Sequence, residues 1–247
     1  MKYFIRDFSE KDISEVINLY QEIFAESPWI EFKKCKKCGV NYGKNEVERV
    51  EYYTGFRGQK DNYMAIVDKK GKILSNCKKC GISMKPWGVF DCKPTYFTSE
   101  NLVDFWTWED VESDIRFCQS QTNPKILIAQ AGETSRIFDD NYEIVGFCWG
   151  YKLPIDKFPF LDGEIDKDSG YGDELAVKSY FRRKRIGENL MLELIKSFKE
   201  NQMKQAIVRT LTTTKAYPLF RKLGFEDIGR VDKNDIYKNR VYLVRDL

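Results

Sequence analysis

The chain has no histidine in 247 residues, and that absence excludes more chemistry than any other feature of its composition. Ser-His-Asp and Cys-His nucleophile systems are ruled out, as are zincins and the zinc-dependent base deaminases, all of which need an imidazole. Any proton acceptor must be a carboxylate, a Tyr, a Lys, a Cys or water. Long apolar runs are missing too, since none approaches the ~20 residues that cross a bilayer. The opening Met1-Lys2-Tyr3-Phe4-Ile5-Arg6-Asp7 lacks the apolar core of a secretion signal. Nor does one sign of charge dominate. With 41 Lys and Arg against 38 Asp and Glu, no global field points to nucleic acid or membrane as partner. These absences lead to the expectation of a soluble, cytoplasmic protein.

What is present is a repeated tetrapeptide. Cys-Lys-Lys-Cys followed by Gly occurs at residues 35–38 and again at 77–80. A Cys-x-x-Cys turn brings two thiolates to one ion, and the Gly after it admits backbone conformations closed to residues with a Cβ. Cys35, Cys38, Cys77 and Cys80 would complete an all-sulfur, structural zinc site, a reading that competes with redox and disulfide pairing. Metal spacing in a chain of seven cysteines argues for a reducing compartment. The stretch between the knuckles exceeds the usual roughly 15–20 residues of a ribbon. It must hold strands of its own, and residues 47–53 and 63–67 fit. Cys92, twelve residues after Cys80, is an alternative ligand, whereas Cys118 and Cys148 fall at apolar-periodic positions and read as core. Lys33, Lys34, Lys36, Lys37, Lys78 and Lys79 would offset the negative charge of four thiolates on one zinc. The competing reading, a nucleic-acid-binding ribbon, finds little support in the near-neutral net charge.

Hydrophobic residues make up 42% and aromatics 15%, enough for a sizeable core. Residues 3–7 read as a strand. After the N-cap Ser9, residues 12–26 place Ile13, Val16, Ile17, Tyr20 and Phe24 at helical spacing, and Pro28 ends the helix. Residues 28–96 hold both knuckles and read as an inserted module, leaving 1–27 and 97–247 as the main domain. Helical periodicity returns over 99–121 through Leu102, Val103, Trp106, Val111, Ile115 and Cys118. Asp104, Glu109, Asp110, Glu112 and Asp114, interleaved with Trp106 and Trp108, suit a cationic amine or form a solvated helix face with core tryptophans. Strands are expected at 125–131 and 143–153, joined by a polar hairpin loop, and another begins at 174–177. Ile186, Leu190, Leu194 and Phe198, with Met191 and Ile195, form the clearest amphipathic helix. A strand at 206–211, a short helix at 215–223 capped by Gly224, and strands at 225–231 and 240–245 follow. That order indicates an α/β domain around a mixed sheet.

The informative stretch runs Asp173-Glu174-Leu175-Ala176-Val177, then through Arg182-Arg183-Lys184-Arg185-Ile186-Gly187-Glu188 into the amphipathic helix. A strand feeding a basic turn at a helix N-terminus is an anion site, because unpaired N–H groups and the helix dipole converge there. Alone, such a turn is also compatible with a solvated charge run. Its spacing resembles the acetyl-CoA signature of the GNAT superfamily of N-acetyltransferases, Gln/Arg-x-x-Gly-x-Gly/Ala. Arg182 takes the first position and Gly187 the last, while Arg185 replaces the middle Gly. Downstream, Thr213, Ala216, Phe220 and Gly224-Phe225 take the places of Asn-x-x-Ala-x-x-x-Tyr-x-x-x-Gly-Phe. Ala and Gly-Phe agree there, whereas Asn and Tyr are replaced.

The resemblance covers residues 1–26 and 99–247. It implies a GNAT-like, mostly antiparallel central sheet flanked by helices, with the zinc-binding insertion between the first two helices. It further implies direct attack of an amine on the thioester of acetyl-CoA. The backbone of Leu175, Ala176 and Val177 would hold the pantetheine arm, and residues 182–188 the pyrophosphate, with Ala216 and Phe220 bordering the cofactor. Without histidine, Glu174 is the best-placed base and Asp173 the second; on a regular strand the two point to opposite faces. Phe220 cannot supply the usual phenolic acid. Tyr217, nearly on the same helical face, is the candidate substitute, against the reading that it only packs. Two other function classes remain open at this point: a catalytically silent acyl-CoA-binding protein, and a zinc-ribbon nucleic-acid or protein adaptor.

Overall fold

A computed structural model describes residues 2–53, 60–84, 97–98, 101–132, 142–158, 161, 163–231 and 240–247. In chain order its elements begin with β1 (Lys2–Asp7), α1 (Ile13–Phe24), β2 (Lys33–Cys35), β3 (Asn41–Tyr42), β4 (Val47–Tyr53) and β5 (Lys60–Ile66). Next come β6 (Phe97–Thr98), β7 (Leu102–Asp104), α2 (Trp108–Ser120), β8 (Lys125–Gly132) and β9 (Glu143–Lys152). The chain closes with β10 (Ser169–Val177), α3 (Ile186–Glu200), β11 (Gln205–Leu211), α4 (Ala216–Lys222), β12 (Glu226–Val231) and β13 (Arg240–Asp246). Cys92 and residues 133–141 of the expected hairpin loop lie outside the described residues. The chain divides into two compact units, Met1–Ile23 with Val111–Leu247, and Phe24–Asp110.

In the first unit a seven-stranded sheet runs in the order β1-β8-β9-β10-β11-β13-β12. Every neighbouring pair is antiparallel except β10 with β11, which α3 joins as a parallel crossover. One sheet face is covered by α3. Its buried Ile186, Leu190, Leu194 and Phe198 form one core cluster with Leu127, Cys148, Phe220 and Phe225. The helix lies almost on the bare backbone. A Cβ on Gly170 would stand 2.5 Å from the Phe198 ring, and one on Gly150 would stand 2.9 Å from the same ring. The other face is aromatic: Tyr20 of α1 stacks with Phe147 at 5.9 Å and Trp149 at 6.0 Å. Phe117 of α2 meets Tyr151 edge-on at 5.8 Å.

The second unit holds two three-stranded sheets, β3-β2-β7 and β4-β5-β6, around buried Cys35, Tyr42, Val47, Ile66, Cys77, Met84 and Leu102. Here the expected single helix over 99–121 gives way. Leu102 and Val103 belong to β7, paired to β2, and α2 starts only at Trp108. The start is fixed by a capping box: the Asp110 N–H donates to the Thr107 hydroxyl and the Thr107 N–H to the Asp110 carboxylate, both at 3.1 Å. The acidic, Trp-bearing stretch is thereby divided. Asp104 pairs with Lys33, the Trp106 indole donates to Glu31, and Trp108 is exposed rather than core.

Candidate functional site

The site begins at an irregularity in β10. Antiparallel pairing with β9 runs Tyr171 with Tyr151 and Gly172 with Gly150, then resumes at Glu174 with Trp149, leaving Asp173 as an extra, bulged residue. The bulge corrects the expectation that Asp173 and Glu174 face opposite sides. Glu174 accepts a hydrogen bond from the Tyr20 hydroxyl at 3.4 Å, and Asp173 accepts one from the Tyr151 hydroxyl at 3.1 Å. Both carboxylates therefore meet the same aromatic face. Beyond Glu174 the alternation is regular, and Leu175 and Val177 pack against the α3 core.

Burial among these rings is the largest influence on Asp173, and it pushes the carboxyl above its usual range. The Tyr151 hydrogen bond, Arg209, Trp149 and Tyr171 pull the other way without cancelling it. Burial first, and the neighbouring Asp173 charge second, push the Tyr151 and Tyr171 phenols upward, so both stay protonated. The parallel pairing of β10 with β11 ends at Gly172 and Val208, although both strands continue. Asp173 sits where they part.

From Val177 the chain turns into α3. The Arg182 Nε donates to the Val177 carbonyl at 2.9 Å and closes the turn, while Arg183, Lys184 and Arg185 are exposed. Arg185 takes φ +61°, the left-handed conformation that glycine adopts freely, so the departure from the family pattern keeps the backbone shape. Arg183 takes φ +63° as well, a second left-handed position that spacing alone did not reveal. Each costs a non-glycine residue roughly 1–2 kcal/mol. A Cβ on Gly187 would meet Val177 Cγ2 at 3.5 Å and Leu219 Cδ2 at 3.6 Å, ordinary contacts that leave space for a methyl and little more. Glu188, in the first turn of α3, is held by Lys222, whose Nζ lies 2.8 Å from both carboxylate oxygens.

On α4 Phe220 is buried against Phe225, and Tyr217 is half-buried against the same core. Thr213 is exposed. Its neighbour Thr214 serves the helix start instead, accepting the Tyr217 N–H at 3.3 Å and pairing with the Thr210 hydroxyl at 2.9 Å. Ala216 packs at the edge of the cluster.

In the second unit the two knuckles are near copies. Gly39 N–H donates to Cys35 O at 2.8 Å and Cys35 N–H to Val40 O at 3.0 Å. Gly81 N–H likewise donates to Cys77 O at 3.0 Å and Cys77 N–H to Ile82 O at 2.8 Å. Gly39 and Gly81 take φ +68° and +69° in open space, so backbone conformation alone calls for glycine there. The four sulfurs lie within 4.8 Å of one another, with Cys35–Cys80 at 3.8 Å and Cys38–Cys77 at 3.7 Å. Burial opposes ionisation of Cys77. Hydrogen bonds from the Cys80 N–H, the Tyr42 hydroxyl and the Lys79 N–H outweigh it and bring the thiol down to about 6. Among the described residues, this is the group of His, Cys, Asp and Glu side chains placed to hold a metal ion.

A sheet that opens between two parallel strands, beside a cation-rich helix start, defines the chain as an α/β acyltransferase fold. The sequence profile of the acetyltransferase (GNAT) family matches residues 94–225, more than half of the chain, and the chain belongs to that family. The fold is similar to that of an N-acetyltransferase from Staphylococcus aureus Mu50, which is 12% identical. That match covers 100% of this chain and 99% of the other, at a TM-score of 0.51. A ribosomal-protein-alanine N-acetyltransferase from Brucella melitensis is 14% identical over 99% of both chains, at a TM-score of 0.50. No curated protein matches the chain. No helix among the described residues is long and apolar enough to cross a membrane.

Proposed function

We propose that the protein is an acetyl-CoA-dependent N-acetyltransferase acting on a primary amine by direct attack in a ternary complex. The observation that carries this reading is the parting of β10 from β11 after Gly172 and Val208, upstream of the turn into α3. An open strand edge followed by an anion site suits a ligand with an amide-bearing arm and a pyrophosphate. The backbone of Leu175, Ala176 and Val177 lines the arm. The amides of residues 182–188, with Arg182, Arg183, Lys184 and Arg185, hold the pyrophosphate, and Ala216 and Phe220 border it. An alkylammonium has a pKa of about 10.4 and must lose a proton before it attacks. Glu174 takes that proton. The amine nitrogen then bonds to the thioester carbonyl carbon, the carbon–sulfur bond breaks, and the nitrogen's remaining extra proton passes through water to the departing thiolate, giving the neutral amide and CoA thiol. The departing thiol has a pKa near 8.5, so the thiolate leaves without a strong acid, and Tyr217 is expected to pack rather than donate.

The thiol tetrad fits a structural zinc ion. Zinc–sulfur bonds of about 2.3 Å in a tetrahedron give sulfur–sulfur edges of about 3.8 Å, against 3.7 and 3.8 Å here. Residues 28–96 then act as a zinc-braced insertion, and the six described cysteines, all free thiols, accord with a cytoplasmic setting. The test is incubation of purified protein with acetyl-CoA and a panel of amines, with elemental analysis of the same sample. The reading expects acetylated amine, CoA release above the amine-free rate, and one zinc per chain. CoA release that no amine stimulates would remove the enzymatic reading, and metal-free protein purified without chelator would remove the zinc.

A further inference from the structure

We infer that Tyr42 is a positioning residue of the thiol tetrad, whose hydroxyl ties the two cysteine knuckles together and tightens their hold on zinc. This rests on the zinc reading above and extends it from the four ligands to the group that orients one of them. Tyr42 lies in β3, which pairs with β2 beside the first knuckle. Its hydroxyl nevertheless serves the second knuckle, donating to Cys77 Sγ at 3.2 Å and accepting the Lys78 N–H at 3.1 Å. The two knuckles are thereby joined by a route that does not pass through the metal. In their backbone hydrogen bonds they are otherwise near copies. Among the described residues Cys35, the counterpart of Cys77, accepts no hydroxyl, so Tyr42 breaks the symmetry of the site.

The phenol is held at both ends. Its ring is fully buried in the core of this unit, with Val47, Ile66, Met84 and Leu102. Lys78 Nζ stands 4.5 Å from the ring centre, an attraction that secures the ring's face, and Glu46 holds that ammonium at 2.7 Å. Packing in this cluster asks only for the ring, whereas the oxygen's hydrogen bonds both go to the second knuckle. A sulfur that accepts such a bond is already oriented before the ion arrives. Outer partners of this kind fix the direction of a ligand and tune its donation to the metal.

The experiment uses the full chain with Tyr42→Phe, which keeps the ring and removes the hydroxyl. Zinc affinity is read by competition with a chromogenic chelator, and the thiolate-to-metal charge-transfer band is recorded after loading with Co²⁺. Loss of an outer partner weakens metal binding roughly tenfold to a hundredfold, and Tyr42→Phe should lose zinc affinity by about that factor. Its charge-transfer band should move to lower energy, because a thiolate without the O–H bond gives up its electrons more readily. Ile66→Val, which loosens the same cluster and removes no hydrogen bond, should leave the band in place. Unchanged zinc affinity in Tyr42→Phe would overturn the inference. So would a band that stays in place whatever the affinity, or an equal shift in Ile66→Val, since either reduces the tyrosine to packing. Failure of the native chain to bind Zn²⁺ or Co²⁺ would overturn the zinc reading itself, and this inference with it.

Discussion

Glu174 and Asp173 meet one aromatic face, through the hydroxyls of Tyr20 and Tyr151, and the proposed base role falls to Glu174. Glu174→Gln should lower kcat by about 10²–10⁴, the usual contribution of a general base, while acetyl-CoA affinity barely changes. Tyr217→Phe should be nearly silent. Steady-state kinetics of both variants check the assignment, and an active Glu174→Gln beside an inactive Tyr217→Phe would reverse it. Asp173 carries a different signature. Burial raises its pKa, so the folded chain holds this proton more tightly than the unfolded chain, where the group titrates near about 3.9. Stability therefore falls as pH rises above that value, and the ionised carboxylate is a liability at neutral pH. Asp173→Asn should raise the thermal midpoint at about pH 8, with the gain vanishing below about pH 4. A midpoint unchanged at both would show that burial does not penalise this group.

At the scale of elements, α3 depends on how closely it approaches the sheet. Gly170 is buried beneath Phe198, so Gly170→Ala should cost about 1–3 kcal/mol by overpacking, and Phe198→Leu should recover part of it. Chemical denaturation of the two single variants and the double variant reads this coupling directly. At the other end of the helix, Gly187→Ala should be tolerated and Gly187→Val should weaken acetyl-CoA binding, since only a methyl fits beside Val177 and Leu219.

This helix was legible because its apolar residues keep one face over four turns. Leu102 and Val103 were not, since two adjacent apolar residues fit a helix or a strand equally well and the partner strand β2 decided. The Asp173 bulge was illegible for a related reason. It arises from register against β9, which no local pattern of β10 records. At the turn, Arg185 could be recognised as standing where the family has Gly, but the left-handed conformation of Arg183 appears only in the backbone. The thiol tetrad was read in full from its twin spacing, because the geometry of a Cys-x-x-Cys-Gly knuckle is local.

At the scale of the whole molecule, the acetyltransferase fold and the cysteine-bearing unit are separate compact bodies, each with its own core. If zinc contributes folding energy outright to the second, Cys77→Ser should release the metal and expose Phe24–Asp110 to proteolysis, while much of the sheet around α3 keeps its hydrogen-exchange protection. Loss of protection in both units together would show that the zinc site supports the entire chain. The proposed direct attack places a different demand on the whole molecule, since amine and thioester must then be bound together with no acetyl group passed to the protein. Initial velocities measured over a grid of acetyl-CoA and amine concentrations test this most directly. The account predicts intersecting double-reciprocal lines and no acetylated protein, whereas parallel lines with a burst of CoA and an acetyl-protein intermediate would contradict it.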